Sequence, residues 1–208
     1  MDNLLAEQDA ALLSCALTVL GEPREAPFMI LITGLPGSGK SYLARCLAEI
    51  LPAVILQSDA LRKTLFNKPA YSAAESNRLF KAMRCLARGI LGKGIPVIID
   101  ATNITERSRR YFYSIADTRG IKSVIVHTHA PEELVKNRLV IRRPIPDEMS
   151  DAGWEVYQRM LAKSEKIKRG HFEVDTSKNI APAIAKIVQE VNNPAKMTSL
   201  RKGAKQWK

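Results

Sequence analysis

The sequence predicts an α/β fold, a three-layer α/β/α sandwich around a five-stranded parallel sheet. Three observations carry this. Strand-length apolar runs alternate with helix-length amphipathic segments along the chain. The apolar runs are continuous rather than alternating, as strands covered on both faces require. A glycine-rich loop stands between the first such run and the first helix after it.

Taken in order, residues 10–21 form an uncharged run preceded by Asp2, Glu7 and Asp9 rather than by Lys or Arg. A secretory signal starts basic, so this run reads as a helix docked on the domain. Residues 28–33 (FMILIT) form the first strand. The glycine-rich loop follows, then a helix over 41–51 that Pro52 ends. Residues 53–56 form a second short strand. A long helix covers about 73–91 and stops at Gly92 and Gly94. Residues 95–100 (IPVIID) are the third strand, and 106–119 a helix with Gly120 as its stop. Residues 122–127 (KSVIVH) are the fourth strand. A helix over 131–142 runs into Pro144 and Pro146, and residues 151–169 are read as a further helix. Residues 171–174 are the last strand and 180–191 the last helix. Crossovers between the parallel strands are right-handed.

The helix from 73 shows how faces are assigned. At 100° per residue, Leu79, Met83, Leu86 and Ile90 share one arc, and Arg78, Lys81, Arg84 and Arg88 lie opposite. The basic side is either a solvated back or a surface for a phosphate-rich partner.

The 208 residues suit one domain with short appendages. We divide them into an N-terminal helical extension (1–26), a nucleotide-binding domain (27–191) with a lid around 138–150, and a basic tail (192–208). No run approaches the roughly 20 apolar residues that cross a bilayer. Cys15, Cys46 and Cys85 are odd in number and lack metal-ligand spacing. That pattern fits buried thiols in a reducing cytoplasm. His127 and His129 alternate along a strand and read as strand-end residues near a site mouth rather than a metal pair. The net charge is +11, and the tail carries Lys196, Arg201, Lys202, Lys205 and Lys208 without an acid. The remainder still favours an anionic partner, for which a nucleotide accounts in part. Nucleic acid is a further possible partner.

Gly34-Leu35-Pro36-Gly37-Ser38-Gly39-Lys40-Ser41 matches G-x-x-x-x-G-K-S at every fixed position, in a strand-to-helix context. Its glycines let successive N–H groups converge on phosphates, and the following helix, which opens with Ser41 and Tyr42, adds its positive end. Lys40 is placed for the β- and γ-phosphates and Ser41 for Mg²⁺. The expected ligands are therefore ATP, or another nucleoside triphosphate, and Mg²⁺.

Three clusters address the γ-phosphate. In Gln57-Ser58-Asp59-Ala60-Leu61-Arg62, Asp59 lands at a strand's carboxyl end, where ligands collect. It can take a proton from an acceptor hydroxyl, with Arg62 one turn on to grip an anionic acceptor. Alternatively, Ser58 or Asp59 caps a helix. Asp100-Ala101-Thr102-Asn103 ends the third strand in a carboxylate suited to the metal's water shell, and Asn103 or Thr105 can instead cap the next helix, which carries Arg107, Arg109 and Arg110. Arg138, Arg142 and Arg143 precede two prolines, with Arg138 and Arg142 on one helix face. They are either charge-neutralising lid arginines or a solvated helix end.

With GLPGSGKS, SDALRK, IIDATN and HAPEELVKNRLVIRR in this order, the chain resembles the P-loop kinases of the "predicted kinase" group, described as AAA-type ATP-binding proteins. That group is related to phage polynucleotide kinase, the zeta toxins and chloramphenicol phosphotransferase. The resemblance covers about residues 28–191. It implies the strand order 2-3-1-4-5 and Asp59 as general base. It implies Arg62 and Asp100 in the acceptor pocket, beside Thr102, Asn103 and Arg110. It also implies Arg138 and Arg142 as lid arginines, and a loop of Val174, Asp175, Thr176 and Ser177 against the adenine. The function expected is transfer of the γ-phosphate to a hydroxyl of a small molecule or of a nucleic-acid 5′ end. The alternative is a nucleotide-dependent ATPase or switch acting through a partner.

Overall fold

A computed structural model describes residues 2–17, 21–142 and 153–193. Arg143, the rest of the expected lid to residue 150, and tail residues 194–208 lie outside the described residues. So does the side chain of Arg142.

Five strands form one parallel sheet: β1 (Phe28–Thr33), β2 (Val54–Gln57), β3 (Val97–Asp100), β4 (Lys122–His129) and β5 (Phe172–Asp175), in the order β2-β3-β1-β4-β5. This is the expected order. Every residue of β1 and β3 is buried, which explains why their sequences are continuously apolar. Register places Ile32 opposite Asp100 and Gln57 opposite Asp100. The polar ends of three strands therefore meet at one edge of the sheet.

The helices are α1 (Asp2–Cys15), α2 (Lys40–Ile50), α3 (Ser58–Leu65), α4 (Ala73–Gly92), α5 (Glu106–Arg119), α6 (Glu132–Arg142), α7 (Trp154–Leu161) and α8 (Ala181–Asn192). On one face of the sheet, Leu13 of α1, Leu61 of α3, Met83 of α4 and Phe112 of α5 pack on Met29, Leu31 and Ile99. On the other, Leu43 and Leu47 of α2 and Ile184 and Ile187 of α8 pack on Phe28, Ile30 and Ile32. A third cluster joins Val135 and Leu139 of α6 to Tyr157 of α7, with Leu35 of the glycine-rich loop against it.

Two expectations about helices change. The N-terminal helix starts at Asp2 and includes Glu7 and Asp9. Asp9 is only 4% exposed. Its carboxylate accepts two hydrogen bonds from Arg78 of α4, at 2.7 and 2.8 Å. An acid within an apolar helix is tolerated because a bidentate guanidinium satisfies it. Asp9→Ala is expected to cost about 1–2 kcal/mol in urea unfolding, since Arg78 can turn to solvent when released.

The helix read over 151–169 ends at Leu161. Beyond a turn the chain is irregular, and Arg109 donates to the carbonyls of Glu165 and Lys166, both at 2.9 Å. The Glu165 N–H also bonds the Ile104 carbonyl at 2.9 Å. These tertiary bonds replace the helical ones that the segment would otherwise make.

Candidate functional site

The glycine-rich loop leaves β1 at Thr33 and enters α2 at Lys40. Gly34 has φ +150°, and a Cβ there would sit 2.5 Å from the Thr128 carbonyl oxygen. Gly39, at φ +86°, occupies the N-cap position of α2 in a left-handed conformation, and a Cβ would meet Thr176 at 2.9 Å. Only glycine fits either position. The helix has no side-chain cap, which leaves its first N–H groups directed out of its end. Lys40 Nζ donates to the Leu35 carbonyl at 2.8 Å and holds against the loop. Ser38 Oγ lies 2.8 Å from Thr128 Oγ1, which ties the loop to β4.

A cavity of about 310 Å³ opens from this loop. Pro36, Gly37, Gly39, Lys40 and Ser41 line one end, and Asp59, Arg62, Asp100 and Thr102 line its floor. The expected phosphate-handling and acceptor-handling residues thus share one space. Arg62 is buried, donates to Ser76 Oγ at 3.1 Å, sits 3.6 Å from Glu75, and stacks on the Tyr71 ring with 4.9 Å to its centroid. Its Nε and one terminal nitrogen have no hydrogen-bond partner.

Asp59 lies in the first turn of α3. The N-cap is Gln57, without a side-chain cap bond, so neither Ser58 nor Asp59 caps this helix. Thr105, not Asn103, caps α5 by accepting from the Ser108 N–H. Asn103 is instead a buried pivot at φ +43°. Its carbonyl accepts from Thr33 Oγ1 at 3.0 Å and from Arg109 at 2.9 Å. Neither Asn103 nor Arg110 lines the cavity, and Arg110 is on the exposed side of α5.

Arg138 donates to the Gly37 carbonyl at 3.2 Å, to Thr176 Oγ1 at 2.8 Å and to the Thr176 carbonyl at 2.9 Å. Thr176 Oγ1 in turn donates to the Ser38 carbonyl at 3.0 Å. Arg138 and Thr176 therefore brace the back of the glycine-rich loop and do not line the cavity. Tyr42 is exposed on α2. His127 and His171 each contact Glu173 at 2.8 Å at the sheet edge.

The sequence reading missed the far wall of the cavity: Tyr71, Ser76, Phe80, and Val156, Arg159 and Met160 from α7. It also missed Gln57, which donates to Ser41 Oγ at 3.1 Å. The signal available for α7 was its apolar and aromatic spacing, Trp154, Val156, Tyr157 and Met160, with a single base at Arg159.

Among the described residues no group of three or more His, Cys, Asp or Glu side chains can hold a metal ion. A hard cation that takes most of its oxygens from phosphate and water needs only one or two protein ligands. Ser41 Oγ hydrogen-bonds Asp100, whose Oδ2 is buried and lacks a partner. That pair of oxygen donors fits Mg²⁺.

Burial pushes the Asp100 carboxyl above its usual range and the nearby Asp59 adds to the rise, while Lys40 and the Ser41 hydrogen bond oppose it. A carboxyl whose pKa is raised by folding destabilises the fold as pH rises from its unfolded value, near 3.8. Asp100→Asn is therefore expected to raise the melting temperature of the nucleotide-free protein at neutral pH. The gain should vanish in melts taken below that pH.

Residues 29–167 match the family model described as an AAA domain. The chain belongs to that family. It is 28% identical over 116 residues to the adenylyl-sulfate kinase of Myxococcus xanthus (strain DK1622), a match covering 54% of this chain and 63% of that protein. The chain thus spans less than two thirds of that relative's length. In fold it is similar to the APS kinase CysC of Mycobacterium tuberculosis solved with AMPPNP and APS (TM-score 0.59, 18% identity, 83% of this chain and 100% of that one). It is also similar to Chaetomium thermophilum Kti12 solved with ADP-AlF3 (TM-score 0.62, 20% identity, 79% and 100%). The chain has the fold of P-loop kinases and the nucleotide-binding loop that belongs to it. No helix among the described residues is long and apolar enough to cross a membrane.

Proposed function

We propose that the protein is an ATP- and Mg²⁺-dependent kinase that transfers the γ-phosphoryl group to a hydroxyl acceptor. The observation that carries this is the single cavity running from Lys40 and Ser41 to Asp59 and Arg62. Transfer requires the acceptor oxygen, its base and the γ-phosphate side by side. In this reading Asp59 takes the hydroxyl proton. The acceptor oxygen then forms its bond to phosphorus as the bond to the β–γ bridging oxygen breaks, and ADP leaves. Lys40 lies along the phosphates, and Arg62 and Thr102 hold the acceptor. Ser41, oriented by Gln57 and Asp100, is the protein's ligand to Mg²⁺, which when bound neutralises charge on the β- and γ-phosphates. Arg138 and Thr176 hold the loop in shape beneath the nucleotide.

The size of the cavity favours a metabolite-sized acceptor over a polymer, though a single nucleoside at a 5′ end also fits. The APS kinase structure, which holds a nucleotide analogue together with APS, supports a two-ligand site of this kind. Cys15 is exposed and Cys46 and Cys85 are half-buried rather than buried as expected, and three free thiols suit the reducing cytoplasm in which we place the protein. The narrower kinship with polynucleotide kinase, zeta toxins and chloramphenicol phosphotransferase is supported by the SDALRK and IIDATN segments. The test is ADP release from ATP and Mg²⁺ with 5′-hydroxyl oligonucleotides, nucleosides or a metabolite extract. Stimulation by one acceptor class supports the kinase. Acceptor-independent release of free phosphate throughout supports the ATPase or switch instead.

A further inference from the structure

Helix α7 puts an arginine into the cavity that the reaction above leaves without a role. Val156, Arg159 and Met160 stand at spacings of i, i+3 and i+4, so they share one face of α7, and that face lines the cavity. We propose that Arg159, together with Arg62, selects the acceptor: a metabolite that carries an oxyanion group, carboxylate or phosphate, besides the hydroxyl that is phosphorylated. This inference rests on the kinase reading above.

The charged residues lining the cavity are Lys40, Arg62 and Arg159 against Asp59 and Asp100. In the proposed reaction Lys40, Asp59 and Asp100 serve the phosphates, the acceptor proton and the metal, which leaves the guanidiniums. Glu75 stands 3.6 Å from Arg62, beyond hydrogen-bond length, and offsets part of its charge. Glu155, one turn before Arg159 on α7, is exposed and does not line the cavity. Arg62 is only 6% exposed, and its Nε and one terminal nitrogen are without a hydrogen-bond partner. A neutral acceptor would leave those buried donors unmet, whereas an anionic oxygen satisfies them, and unpaired buried groups are what let a site reject an analogue. The Tyr71 ring holds the guanidinium plane. Tyr71 has φ +53°, a left-handed conformation that is costly for a bulky residue. The strained backbone thus belongs to the residue that fixes Arg62.

The opposite side of α7 ties it to the phosphate loop. Tyr157 clusters with Val135 and Leu139 of α6, Leu35 of the loop packs against them, and Trp154 stacks on Tyr157 with ring centroids 4.9 Å apart. A wall clamped to the loop keeps Arg159 at a set place relative to the phosphates, as selection requires. Phe80, Val156 and Met160 give the body of the acceptor an apolar surface beside the charged groups.

The test divides a metabolite extract on an anion-exchange resin at neutral pH into unbound and retained fractions, the retained one freed of nucleoside di- and triphosphates. Label from γ-labelled ATP with Mg²⁺ is then followed into products. Transfer should occur with the retained fraction only. Arg159→Gln should raise the amount of that fraction needed for half-maximal transfer at least about tenfold, with a smaller loss in maximal rate. Lys163→Gln, which removes the same charge from an exposed position just past α7, should leave that amount within about twofold. Arg159→Lys restores the charge without the planar fork and should fall between the two. Affinity for AMPPNP, titrated alone, should stay within about twofold throughout. Transfer with the unbound fraction, or to 5′-hydroxyl oligonucleotides alone, would overturn the inference and leave the kinase reading standing. So would an unchanged half-maximal amount in Arg159→Gln, or a loss of AMPPNP affinity that matches its rise. Label appearing only as free phosphate in every sample would overturn the kinase reading and this inference together.

Discussion

Asp59→Asn is expected to abolish phosphoryl transfer while nucleotide affinity stays within about twofold of wild type. The amide keeps the size of the carboxylate and its place in the first turn of α3, so the cavity wall is preserved. It cannot accept the acceptor's proton, and positioned general bases contribute about 10²–10⁴ in rate. Asp59 shares the cavity with Lys40 and Ser41 but is not part of the glycine-rich loop. Nucleotide binding rests on that loop and on the uncapped end of α2. A single-turnover rate measured beside a binding titration separates the two effects. A loss of affinity matching the loss of rate would make Asp59 a ligand to the bound nucleotide rather than a base.

Arg109→Met is expected to produce the largest stability loss of any single substitution on α5, about 3–5 kcal/mol in urea unfolding. Arg109 is 1% exposed. Its guanidinium joins the Asn103, Glu165 and Lys166 carbonyls, each at 2.9 Å, and ion-pairs with Glu106 at 3.1 Å. Methionine fills much of the volume but removes four bonds at once: the Asn103 carbonyl keeps only its bond from Thr33 Oγ1, the Glu165 and Lys166 carbonyls lose the donor that holds their segment, and Glu106 loses its ion-pair partner. The loop from Ala101 to Thr105 hangs on the same guanidinium. Activity should therefore fall even at temperatures where the variant remains folded. Glu106→Gln keeps the three carbonyl bonds and should cost much less, which separates the loop anchor from the ion pair.

Arg109 also shows where sequence reading stops. The strand over 28–33 and the helix over 106–119 were legible to the residue, because unbroken apolar character, a Thr cap and a left-handed glycine are all local signals. The helix read over 151–169 failed because the groups that pull the chain out of helix lie 56 and 57 residues away. No periodicity within the segment reports them. The phosphate loop was legible for the opposite reason, since its geometry is local and its glycines have no substitute. The far wall of the cavity was not. Tyr71, Phe80 and Met160 come from three separate parts of the chain and meet only once α4 and α7 are in place. Asp59 lies between these cases. Its position after a strand pointed to the site, but setting aside the helix-cap role needed Gln57 to be seen in the N-cap position.

The account stands most directly on the fate of the γ-phosphate. The protein and its Asp59→Asn variant would be incubated with γ-labelled ATP, Mg²⁺ and fractionated metabolites, and the labelled products separated. The expected result is label in a phosphorylated acceptor with the wild-type protein and none with the variant, at equal nucleotide occupancy. Label appearing only as free phosphate, or passing to the acceptor at the same rate with Asp59→Asn, would contradict it.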